Sequence, residues 1–103
     1  MDPLPIPPGP PFWELANVRM SQAEMHGMLG EPHDVENGCG LDDGEEFWMY
    51  RLPSGQRMML VLNVSLATFW IYGDPPELEP ILQSLHLATD DFRLSRNEAP
   101  RPY

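Results

Sequence analysis

Three consecutive segments, 46–52, 56–64 and 67–72, are apolar on both of the faces that a β-strand presents. In the first, Trp48, Tyr50 and Leu52 point one way and Phe47 and Met49 the other; in the second, Met58, Leu60, Leu62 and Val64 oppose Met59 and Val61; in the third, Phe69 and Ile71 oppose Trp70 and Tyr72. Side chains alternate across a strand, so an antiparallel sheet with one face in water should alternate apolar with polar residues. A chain carrying this block must cover both sheet faces itself, with residues 12–20 helping, or lend one face to a partner as a Met/Trp/Tyr interaction or dimer surface.

The turns between these segments are legible. Pro53-Ser54-Gly55 is a turn signal of hairpin length, and Asn63-Val64-Ser65 makes the second turn or its approach, which predicts a three-stranded antiparallel meander. Upstream, Ser21-Gln22-Ala23-Glu24 reads as a capping box that opens a helix of about two turns, with Met25, Met28 and Leu29 on one face and Gly30 and Pro32 as the stop. Downstream, Asp74-Pro75-Pro76-Glu77 reads as a second helix start capped by Asp74, followed by the stripe Leu78, Ile81, Leu82 and Leu85. The expected fold is α+β: a short helix, a three-stranded antiparallel meander and a C-terminal helix packed on the sheet. Six prolines in residues 1–11 predict a stiff polyproline-like arm, residues 12–88 a single domain, and residues 89–103 a tail that is helical at most near Thr89.

Charge restricts the function classes. Glu31, Asp34, Glu36, Asp42, Asp43, Glu45 and Glu46 lie in one stretch that has no Lys or Arg, within a chain of formal net charge −10. Such a segment steers toward a positive partner and repels nucleic acid. Six Arg and no Lys leave no basic patch for a phosphate backbone. No stretch approaches a membrane helix, and the N-terminal residues lack signal-peptide character, so the expected address is the cytoplasm.

Catalytic and metal chemistry find little support. His26, His33, Cys39 and His86 lack the paired spacing of a zinc site, and the residues around Asp34–Glu45 fail the order of a calcium-binding EF-hand loop. Acidic surroundings disfavour a Cys39 thiolate, and Asp42 with Glu46 sits on a glycine-rich loop rather than in a rigid cleft suited to glycoside chemistry. No cofactor and no enzymatic activity are expected.

Three stretches together, Met28-Leu29-Gly30-Glu31-Pro32-His33, Phe47-Trp48-Met49-Tyr50-Arg51-Leu52-Pro53-Ser54-Gly55-Gln56-Arg57 and Asp74-Pro75-Pro76-Glu77-Leu78, resemble small acidic immunity proteins encoded beside bacterial polymorphic or secreted toxins. The resemblance covers roughly residues 12–87 and implies a catalytically inert inhibitor of a basic toxin domain, often a nuclease. The same order of helix, Leu-Gly-x-Pro, aromatic strand and glycine turn is also similar to the small lipoprotein of the outer-membrane assembly machinery, although this chain lacks the lipobox cysteine. The expected partner-binding residues are the acids Glu31, Asp34, Glu36, Asp42, Asp43, Glu45 and Glu46, which speed encounter, and the aromatics Trp48, Tyr50, Trp70 and Tyr72, which slow dissociation. The competing expectation is a non-catalytic adaptor or chaperone that homodimerises through an apolar sheet face.

Overall fold

The structure is a computed structural model in which residues 2–3, 12–36 and 44–102 are described. In chain order they form β1 (Asp2–Pro3), β2 (Trp13–Arg19), α1 (Gln22–Leu29), β3 (Asp34–Glu36), β4 (Glu45–Arg51), β5 (Arg57–Asn63), β6 (Thr68–Asp74), α2 (Glu79–Ser84) and β7 (Leu94–Pro102). Among the described residues these strands make one antiparallel sheet: six run in the order β1-β4-β5-β6-β2-β7, and β3, the seventh, pairs with β4 beside β1.

The expected three-strand architecture is therefore corrected. Strands β4, β5 and β6 do form the meander, with β4 and β5 joined through Gly55 (φ 90°), whose N–H donates to the Leu52 carbonyl at 2.8 Å, and β5 and β6 through residues 64–67. They are the middle of a wider sheet. Residues 12–20, read as an entry segment and cover, supply Phe12 as cover and then become β2, paired to β6. A bulge hid this strand. Register passes from Glu14↔Tyr72 directly to Ala16↔Ile71, so Leu15 is an extra residue that breaks the two-residue alternation.

Residues 89–103, expected as a tail, contain the nine-residue β7, paired to β2. Its Pro100 and Pro102 are compatible with a strand because β7 lies at the sheet edge, where an absent N–H breaks no ladder. Asp74 does not cap α2. It ends β6 and accepts a 2.6 Å ion pair from Arg57, while the Gln56 amide donates to the carbonyls of Pro75 and Glu77 at 2.8 Å each and pins the intervening loop. The helix starts five residues later, at Glu79, with Pro80 in its first turn. Of the proline arm, Asp2 and Pro3 pair with Arg51 and Tyr50, and residues 4–11 lie outside the described residues.

Both helices lie on one face of the sheet. Across it the register Trp48↔Leu60↔Ile71↔Ala16 runs through the core, closed by Met25 of α1 and Leu78, Ile81, Leu82 and Leu85 around α2. Gly73 on this face allows close packing, since a Cβ there would lie 2.9 Å from the Ile81 Cδ1. The opposite face carries Phe47↔Val61↔Trp70↔Asn17, with Phe12, Met49, Met59 and Val61 as a second, smaller buried cluster.

Candidate partner-binding edge

The acidic stretch does not stay together. Glu31, Asp34 and Glu36 are exposed, Glu45 is half-buried, Glu46 is buried at 7% exposure, and Asp42 and Asp43 lie outside the described residues, as does Cys39. Strand alternation causes the split. Glu46 points to the helix-covered face with Trp48 and Tyr50, whereas Glu45 and Phe47 point to the other.

Glu46 is held by α1. His26 Nε2 lies 2.7 Å from its Oε1, and the Gln22 side-chain amide donates to its Oε2 at 3.0 Å. The capping box, with Ser21 and Glu24 bonded to each other's backbone amides, fixes where α1 begins and so which residues face Glu46. This carboxylate closes the core and is not available to a partner.

Trp48 and Tyr50, expected as surface anchors, are core residues at 0% and 7% exposure. Burial pushes the Tyr50 phenol above its ordinary pKa. Their polar ends reach the chain leaving α1 through long hydrogen bonds: Trp48 Nε1 to the Gly30 carbonyl at 3.4 Å and the Tyr50 hydroxyl to the Leu29 carbonyl at 3.5 Å. Next, the His33 N–H donates to the Phe47 carbonyl at 2.8 Å, and the Met49 N–H donates to His33 Nδ1 at 2.9 Å. The His33 ring also meets Tyr50 edge-on, with centroids 4.9 Å apart. These contacts place β3, so the buried aromatics position the acids rather than join them.

Trp70 and Tyr72 are half-buried on the open face. Asp34 opposes Phe47, and the row continues through Val61 to Trp70, which puts an exposed acid and two half-exposed aromatics on one face. Three interstrand steps separate Asp34 from Trp70, about 14 Å at the usual strand spacing. On the same face the Arg57 guanidinium stacks 5.0 Å above the Phe12 ring.

Sequence reasoning gave no role to His33 in this edge and did not find β3. Phe47 was visible as the residue alternating with Trp48; β3 was not, because Asp-Val-Glu has low strand propensity and forms only as a short charged edge on β4.

Among the described residues no group of three or more His, Cys, Asp or Glu is placed to hold a metal. No helix among them is long and apolar enough to cross a membrane. What the arrangement offers is a carboxylate-bearing edge continuous with a partly aromatic sheet face in an α+β frame. No protein family, characterised protein or solved structure matches the chain.

Proposed function

We propose that this chain is a non-catalytic binding protein of the immunity type, which neutralises a cognate toxin domain with a basic surface by direct association in the cytoplasm of the producing cell. The observation that carries the reading is the continuity of the exposed acids on β3 with the half-exposed aromatics of the open face, Asp34 standing opposite Phe47 in register with Trp70. Charge of this kind accelerates encounter, and aromatic contact area lengthens residence. Where the toxin is a nuclease, the acids occupy positions that its phosphate-binding Arg and Lys otherwise give to substrate. Burial of Met49, Met59 and Val61 within the single chain leaves less apolar surface for the alternative of a homodimeric adaptor.

The triple variant E31Q/D34N/E36Q tests the reading. Its association with the toxin domain encoded in the neighbouring reading frame should slow about tenfold at low salt, with a smaller difference at physiological ionic strength. Equal association rates at both ionic strengths would sink it.

A further inference from the structure

The outer edge of β4 is shared by two short strands with a gap between them. β3 pairs with Glu45, Glu46 and Phe47, and β1 pairs with Tyr50 and Arg51. In the gap, the Met49 amide donates not to a backbone carbonyl but to the ring nitrogen Nδ1 of His33, at 2.9 Å, while the His33 amide donates to the Phe47 carbonyl. One histidine therefore continues the ladder at the point where the chain turns into β3.

A neutral imidazole can accept at Nδ1; an imidazolium has two N–H donors and no acceptor. Protonation would set two N–H groups against each other at Met49. From this geometry we propose that His33 is a pH-sensitive splice that holds the acidic edge strand in register while its ring is neutral and releases it on acidification. The direction follows from the acceptor role: a neutral ring can take the Met49 N–H at Nδ1 and an imidazolium cannot. Among the described residues, the titratable group packed on the ring is Tyr50 of β4, whose hydroxyl is directed to the Leu29 carbonyl; Glu31 and Asp34 are near neighbours in the chain, and the Asp34 carboxylate accepts from the Val35 amide at 2.9 Å.

The inference rests on the proposed binding edge for its biological meaning, but its test needs no partner. Amide hydrogen exchange and nitrogen-15 spectra of the free protein are recorded between about pH 8 and pH 5, the interval in which histidines change charge. The protection factor of the Met49 amide, corrected for the intrinsic pH dependence of exchange, should fall about tenfold, which is the scale of one hydrogen bond. Its shift should titrate together with the His33 ring. In His33→Asn, whose side-chain oxygen can accept at the same place without titrating, protection should be independent of pH. The proposal is overturned if the His33 ring titrates while the Met49 amide does not respond, or if His33→Asn keeps the wild-type pH dependence. Should the variant fail to fold, coincidence or non-coincidence of the two wild-type titrations decides alone. Failure here with a salt-sensitive toxin association would remove the switch and leave the binding edge; the reverse result would keep the splice and remove its role.

Discussion

The two faces of this sheet are built from the same strands and nearly the same residue types, yet they do different work. On the helix-covered face, Trp48, Leu60, Ile71 and Phe69 are fully buried beneath α1 and α2, and even the carboxylate of Glu46 is enclosed by bonds from His26 and Gln22. On the other face a small cluster around Phe12, Met49, Met59 and Val61 is buried, but Phe47, Trp70 and Tyr72 around it are only half so, with Asp34 at the edge. The lesson is that residue type does not report setting here: tryptophan and glutamate each occur in both, and which face a strand position takes decides whether the side chain is enclosed or left part-exposed.

The comparison breaks most readily on its tryptophans. Trp48→Ala should lose about 3–5 kcal/mol in urea unfolding, since it opens a cavity in a packed core, whereas Trp70→Ala should lose less than half as much and act mainly on partner dissociation. Equal losses would mean that the open face is as much a core as the covered one.

The glutamates are the next contrast. Glu46→Ala removes the buried acceptor that holds His26 and Gln22 of α1, whose freed polar ends can reach water, and should cost about 1 kcal/mol. Glu36→Ala, exposed on β3, should stay within about 0.5 kcal/mol of wild type by the same unfolding measurement. A neutral Glu46→Ala would free this residue to rejoin the acidic surface.

The smallest effect lies at the rim of the covered side. Hydrogen bonds from the Arg93 side chain and backbone hold the Asp91 carboxyl below its ordinary range, and Arg96 does the same to Glu79. Each carboxylate titrates lower folded than unfolded, so each contributes stability above the unfolded value that is lost as pH falls through the folded one. Asp91→Asn should therefore flatten the acid limb of the melting temperature below about pH 4, slightly, because solvent still screens this part-exposed pair. An acid limb identical to wild type would show that this ion pair carries no stability.

Features that depend on near neighbours were legible in the chain. The capping box at Ser21 and Glu24, the hairpin turn at Gly55 and the central strands are set by local hydrogen bonding, positive φ and alternation. Features that depend on distant partners were not. β2 was obscured by the bulge at Leu15, β7 by prolines that only an edge strand tolerates, and β3 by acids that pair only because β4 has a free edge beside them. Asp74 satisfied every local criterion for a helix cap, yet Arg57, 17 residues away, claims its carboxylate.

The candidate site divides in the same way. Glu31, Asp34 and Glu36, expected to meet a partner, are exposed, and Asp34 and Glu36 lie in the edge strand β3. The assignment of Trp48 and Tyr50 to the surface failed because alternation says which residues share a face without saying which face the helices will cover.

By itself, then, the sequence determined that a doubly apolar antiparallel sheet would form, that a capped helix would precede it and that a surplus of negative charge would remain in water, because propensity, turn chemistry and charge act over a few residues. Tertiary structure decided that four further strands, β1, β2, β3 and β7, would widen the sheet, that both helices would take the Trp48 face, and that Glu46 would go inside while Asp34 stayed out. Those outcomes depend on which long-range pairings bury the most apolar surface and satisfy the most backbone groups together, a sum over the whole chain that no local window contains.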